Sequence, residues 1–265
     1  MRKRGKFRSG GTNKKGTRVG RGVYIYGRNP IREALRRSPQ AVRRVLLSGE
    51  ACNDKELKLD LARSGIPSEI VKARDIEKIT GEEAVHQGAA AILDLSSVVI
   101  SIEEFLRAIK PTSDTFLVLL DELTDPQNVG AIIRSAAAFN ASGVLVPSRN
   151  QAPITGAVVK ASAGMVFSVP IVSIGNVNQT VDTLKRFGFK TYALAQDGKV
   201  ALRDEGFAEP AVFVVGNEGS GVRQKTMEHC DTTLRIPIDE RCESLNASVA
   251  AAVVLYEWSS KRRRR

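Results

Sequence analysis

From residue 116 onward the chain alternates short β-branched runs with helix-patterned stretches, and that alternation leaves few folds open. FLVLLDEL, SGVLVP, VFSVPIVSI, FKTYAL and AVFVVG read as strands, while DPQNVGAIIRSAAAFNA and NVNQTVDTLKRFG read as helices. Asp125-Pro126 supplies a cap and first-turn pair for the first of these helices. The pattern predicts an α/β domain built on a largely parallel sheet. Earlier residues repeat it on a smaller scale. Asn29-Pro30 starts a helix whose apolar face is Ile31, Ala34 and Leu35, and RRVLLS (strand), DKELKLDLARSG (helix), SEIVKA and AAILDL (strands) follow. The expected organisation is a basic tail over residues 1–21, a smaller N-terminal α/β unit over 22–95, and a connector over 96–113 with a short helix in SIEEFLRAIK. A larger α/β domain over 114–260 and a second basic tail over 261–265 complete it.

The formal net charge of +11 is unevenly placed. Residues 1–21 hold nine Lys or Arg and no acid, and residues 261–265 add five more; without these 14, 26 bases face 29 acids. The body is slightly acidic, so basicity resides in two ends suited to neutralising phosphates without reading sequence. A solubilising tail is the bland alternative. No apolar run approaches the roughly 20 residues that cross a bilayer, and the N-terminus lacks the apolar stretch of an export signal. Cys52, Cys230 and Cys242 form no CxxC pair, and His86 and His229 form no ligand pattern, so neither a disulfide framework nor a metal site is supported. A reducing cytoplasm is the simplest home.

Three charges stand almost alone among apolar residues: Arg134, Lys160 and Glu218. Burying an isolated charge is costly unless something pairs with it, so these positions mark candidate sites. In a parallel sheet, ligands collect where strands end and loops turn into helices. DPQNVGAIIR is one such loop: Asn128 lies near a helix start, and Gly130, four residues before Arg134, is expected to leave bare backbone beside the guanidinium. VVGNEGSGV is a second, with Gly216, Gly219 and Gly221 in an order that is neither a dinucleotide fingerprint nor a P-loop. It suggests a tight turn that brings backbone against a flat or compact ligand, with Glu218 as anchor. The third is RIPIDERCESLNASVAAAVVLYEW, where Ser244 reads as a cap and Leu245, Val249, Val253 and Tyr256 share one helix stripe. Its other faces are small, which suits close packing against a helix of this chain or of a second subunit. Arg28, Arg32 and Arg36 recur every four residues and form a cationic row; a solvated face is the alternative.

NVGAIIR, VVGNEGSG and IPIDERCESLNASVA, in this order, resemble the three motifs of the SpoU-type (TrmH-like) RNA ribose 2′-O-methyltransferases. VKASAG between them matches as well, and YGRNPIREAL with HQGAAA resembles the family's N-terminal substrate-binding domain. Glu240 and Asn140 depart from glycines common in the family, which bears on loop shape. The resemblance implies a deep trefoil knot in the C-terminal α/β domain, S-adenosylmethionine as cofactor, and a homodimer. It implies cofactor binding by Gly216, Asn217, Ile236, Pro237 and Leu245, and a reaction centre of Asn128, Arg134, Glu218, Ser244 and Asn246. It also implies RNA as partner, a guanosine of 23S ribosomal RNA above all, with transfer RNA or resistance-conferring ribosomal methylation as alternatives. Arg28, Arg32, Arg36 and Lys160 are the expected RNA contacts. A guanidinium is a poor base, so Arg134 is expected to bind the neighbouring phosphate or stabilise developing oxyanion character. A non-catalytic RNA-binding or ribosome-assembly protein is the reading from a different class.

Overall fold

The structure, a computed structural model, describes residues 23–81, 84–94 and 97–263. The N-terminal basic segment and residues 264–265 lie outside this range.

The N-terminal layer is a four-stranded sheet in the order β1-β4-β2-β3, formed by β1 (Val23–Tyr26), β2 (Val42–Leu47), β3 (Ser68–Ile70) and β4 (Ala89–Leu93). β4 is antiparallel to both of its neighbours, and β2 runs parallel to β3. Three helices accompany it: α1 (Arg28–Arg37), α2 (Lys55–Ser64) and α3 (Ala73–Thr80). Ile31, Ala34 and Leu35 of α1 are buried, as their spacing predicts. Asp54 caps α2 by accepting the Leu57 N–H at 2.9 Å, and Gly65 closes it in the left-handed region that glycine reaches without strain.

The larger sheet has eight strands, all parallel, in the order β10-β12-β9-β11-β6-β7-β8-β5. In chain order these are β5 (Val99–Ser101), β6 (Phe116–Asp121), β7 (Gly143–Pro147), β8 (Ile171–Ile174), β9 (Lys190–Leu194), β10 (Val200–Ala201), β11 (Ala211–Gly216) and β12 (Thr232–Arg235). The accompanying helices are α4 (Ile102–Ala108), α5 (Pro126–Ala138), α6 (Gly156–Ala161), α7 (Val177–Arg186), α8 (Gln224–His229) and α9 (Ala247–Arg263). β6 is buried along its whole length, and its side chains alternate between two cores. Phe116, Val118 and Leu120 join Val129, Ile132 and Trp258 on one face, while Leu117 and Leu119 join Val181, Leu184 and Phe105 on the other.

Three expectations need correction. Residues 96–113 are more than a connector, because β5 pairs with β8 at the sheet edge and α4 carries Phe105 into the core. In VFSVPIVSI only Ile171–Ile174 is strand; Met165–Phe167 is a 3-10 turn, and Pro170 has no N–H to give a ladder. The 261–265 tail begins as helix: α9 runs to Arg263, and the Lys261 ammonium donates to the carbonyls of Leu202, Arg203 and Glu205 at 3.3, 2.6 and 2.9 Å. The Val249, Val253 and Tyr256 stripe of α9 faces outward, while Ala247, Ala251, Val254, Leu255 and Trp258 turn to the core. Small residues on the inner face let α9 approach α5 of the same chain.

The two layers share one continuous core. Their seam is close: a Cβ at Gly156 would lie 2.0 Å from the Tyr24 carbonyl oxygen, so the start of α6 touches β1 through bare backbone.

Candidate functional site

The chain leaves β6 toward β7 and β8 on one side, then returns to build β9, β11 and β12 on the other. This reversal leaves a crevice at the carboxyl ends of β6 and β11, where ligands gather in sheets of this type. Asp121 and Gly216 face each other there, as the last paired residues of the two strands. Gly216 is required by packing, since a Cβ would stand 2.1 Å from both Gly221 C and Val222 N. The turn that follows is tight: Asn217 and Gly221 exchange backbone hydrogen bonds at 3.0 and 2.9 Å, and the Asn217 side chain accepts the Gly219 N–H at 2.9 Å. Glu218 is thereby held at the tip, exposed.

Three separated segments meet at that tip. Asn128, buried in the first turn of α5, donates its amide to the Glu218 carboxylate at 2.9 Å, and its amide oxygen accepts Asn246 Nδ2 at 2.9 Å. Asn246 in turn caps α9, its Oδ1 accepting the N–H groups of Ser248 at 2.9 Å and Val249 at 3.3 Å. The cap is therefore Asn246 and not Ser244, because α9 begins at Ala247. Ser244 lines the neighbouring cleft instead.

That cleft encloses about 790 Å³. Leu194, Val215, Leu234, Ile236, Ile238 and Leu245 form apolar wall, and the backbone of 216–221 forms another side. Of the expected cofactor residues, Gly216, Asn217, Ile236 and Leu245 line it and Pro237 does not. Apolar side chains together with backbone polar groups suit an adenosine-like ligand, its base read by main-chain N–H and C=O.

Arg134 does not line this cleft. Gly130 is used by packing: a Cβ there would meet Ala161 Cβ at 2.4 Å and the Val158 carbonyl at 2.9 Å, so α6, not a ligand, occupies the bare backbone. Arg134 itself projects from α5 as an exposed side chain, outside the cleft wall. Lys160 and Glu218 are exposed too. Their isolation in sequence arises because their neighbours are core, not because the charges are buried. Lys160 rests on the N-terminal layer, 3.5 Å from the Tyr26 hydroxyl and 4.9 Å from its ring centre.

The arginine row is paired with carboxylates of the same layer. Arg32 and Arg36 both donate to Asp60 of α2, at 3.1 and 2.8 Å, and Arg28 reaches Asp54 at 3.2 Å. Burial pushes the Asp60 carboxyl up, but the two guanidinium hydrogen bonds outweigh it and hold the group below its ordinary range. Sequence reading missed these carboxylates because they lie 24 to 28 residues away. It also missed Asp121, wholly buried, which accepts Arg223 Nε at 2.9 Å, Nη2 at 2.7 Å and its backbone N–H at 3.2 Å. A lone acid closing the apolar run FLVLLD was the available signal. Cys230 offers no nucleophile, since burial above all pushes its thiol up to about 12. Among the described residues, no group of three or more His, Cys, Asp or Glu could hold a metal, and no helix is long and apolar enough to cross a membrane.

The profile of the SpoU rRNA Methylase family matches residues 115–256, more than half of the chain. The chain belongs to the SpoU rRNA methylase family. A second profile, RNA 2′-O ribose methyltransferase substrate binding, matches residues 24–98, which is the N-terminal layer. An uncharacterized tRNA/rRNA methyltransferase of Mycobacterium avium (strain 104) is 37% identical over 243 residues, 90% of this chain and 77% of that protein. The SpoU methyltransferase AviRb of Streptomyces viridochromogenes, solved in complex with the cofactor AdoMet, superposes with a TM-score of 0.74 at 27% identity, covering 91% of this chain and 90% of that one. An RNA 2′-O ribose methyltransferase superposes with a TM-score of 0.71 at 25% identity, covering 91% and 88%. In this SpoU methylase, the segments NVGAIIR, VVGNEGSG and ESLNASVA are the ones that the Asn128, Glu218 and Asn246 hydrogen bonds join.

Proposed function

We propose that this SpoU methylase transfers a methyl group from S-adenosylmethionine to a ribose 2′-OH, that of a guanosine in 23S ribosomal RNA. The observation that carries the reading is the Glu218–Asn128–Asn246 hydrogen-bonded chain at the mouth of the cleft. It fixes three loops relative to one another, as an in-line displacement requires of the groups that align the reactants. The cofactor, when bound, supplies an electrophilic methyl group. Leu194, Ile236 and Leu245 would enclose its adenosine portion, and the acids Asp197, Glu218 and Glu243 on the cleft wall suit its positive charge.

The side chains divide the remaining work. Arg134 would hold the phosphate next to the reacting ribose and stabilise charge developing on the 2′ oxygen. Ser244, exposed on the cleft rim, would orient the substrate. The N-terminal layer and the basic ends would hold the RNA, in the cytoplasm, with Lys160 and the partly exposed Arg28 and Arg36 at its edge. The C-terminal chain from β11 through α9 would form the trefoil knot. The outward apolar stripe of α9 rims a depression with Ala131 and Ser135 of α5, which supports a homodimer through these two helices. In that dimer a partner would stand beside Arg134 and complete its surroundings.

Titration calorimetry with S-adenosylmethionine, followed by mapping of ribose methylation in total RNA from cells with and without the protein, tests the reading. Binding heat and one 2′-O-methyl mark that depends on the protein are expected. Absence of binding heat would favour a non-catalytic RNA-binding protein.

A further inference from the structure

Glu122 follows the central strand in a left-handed conformation, with φ of +61°. A side chain there strains the backbone by about 1 kcal/mol or more, and glycine would not. The carboxylate is used twice: Oε1 accepts Arg223 Nη1 at 2.9 Å and Asn150 Nδ2 at 3.3 Å. The Glu122 carbonyl accepts Asn217 Nδ2 at 2.9 Å. The same Asn217 holds the Gly219 N–H that shapes the cleft-side turn. On the other side, Gln151 accepts the Leu123 N–H at 2.9 Å, and Asn150 is itself left-handed with φ of +55°.

We infer that Glu122 is a positioning residue that couples the cleft-side loop 217–223 to the loop 149–151 across the end of β6. The inference rests on the methyltransferase reading, which makes the cleft the cofactor's. Arg223 keeps its three bonds to buried Asp121 without Glu122, so the carboxylate sets loop position and is not needed for the fold. Glu122→Gly removes the carboxylate and the strain together. Glu122→Gln keeps the acceptor oxygen and the side-chain length.

The experiment measures S-adenosylmethionine affinity by calorimetry, melting temperature, and amide hydrogen exchange at Gly219 and Leu123 for the full chain and both variants. Glu122→Gly is expected to bind about tenfold more weakly, as loss of the carboxylate's hydrogen bonds to Arg223 and Asn150 implies. Its melting temperature should be unchanged or higher, and both amides should exchange faster together. Glu122→Gln should stay within about threefold of the parent. Parent-like affinity in Glu122→Gly overturns the inference, as does faster exchange in one loop alone or an affinity loss matched by a fall in melting temperature. If the unaltered protein binds no cofactor, the methyltransferase reading fails and takes this inference with it.

Discussion

Two helices of this protein carry arginines, a row of three on α1 and a single one on α5, and the structure treats them in opposite ways. On α1, Arg28, Arg32 and Arg36 are joined to Asp54 and Asp60, and Arg32 also pairs with Glu56. On α5, Arg134 stands exposed beside a row of alanines and isoleucines. The first set holds α1 against α2; the second is a cation left at the surface next to an unpartnered apolar stripe. Spacing tells which side of a helix a residue occupies. What that side faces is decided by the rest of the chain.

The same truncation applied to both helices tests this contrast. Arg134→Ala should reduce single-turnover methyl transfer by about a thousandfold, the scale of losing one charge-stabilising group, while cofactor affinity and melting temperature stay near those of the parent. Near-normal turnover would remove Arg134 from the reaction centre. Next in size is Asn128→Ala, which unlinks Glu218 from Asn246. A rate loss of ten- to a hundredfold is expected from lost alignment, with cofactor affinity less affected, measured under saturating cofactor. Arg32→Ala should do the converse of Arg134→Ala. It leaves Asp60 with Arg36 alone and should cost about 1.5 kcal/mol of stability in a urea titration, with the rate per folded molecule unchanged.

Much of the fold was legible because β-branched runs and capped helices follow local rules. The strand of β6, the Asp125 cap and the buried face of α1 are each written in a few neighbouring residues. The edge strand β5 was not legible, since three residues of VIS gain meaning only beside β8. Asn128, Glu218 and Asn246 were found from their motifs, yet the bonds that join them span 90 and 118 residues and no local rule predicts them. Gly130 was misread for the same reason: a glycine signals close approach, but sequence does not name what approaches, and here it is α6. Periodicity groups Val249, Val253 and Tyr256 on one stripe without giving its direction, because two faces of α9 are apolar enough to serve as the inner one.

The smallest expected effect concerns acid, and it tests whether the α1 row is structural. Asp60 is held low by Arg36 and Arg32 against its burial, and Asp54 is held low first by the Leu57 backbone N–H and then by Arg28. A carboxyl whose pKa is lower folded than unfolded stabilises the fold above its unfolded value, about 3.9. That contribution disappears as pH falls through the lower, folded value, where both states are protonated. Stability should therefore be flat from neutrality to about pH 5 and decline below pH 4. Asp231, just before β12, contributes with the same sign, since burial pushes its carboxyl up but the Thr191 N–H and Lys185 hold it low. Asp60→Asn should thus flatten the acid limb in part, not abolish it, and hydrogen exchange should place the difference in α1 and α2. An acid limb unchanged by that substitution would mean that the arginines of α1 do not depend on Asp60, and Arg32 would join Arg28 and Arg36 as a cationic face for RNA.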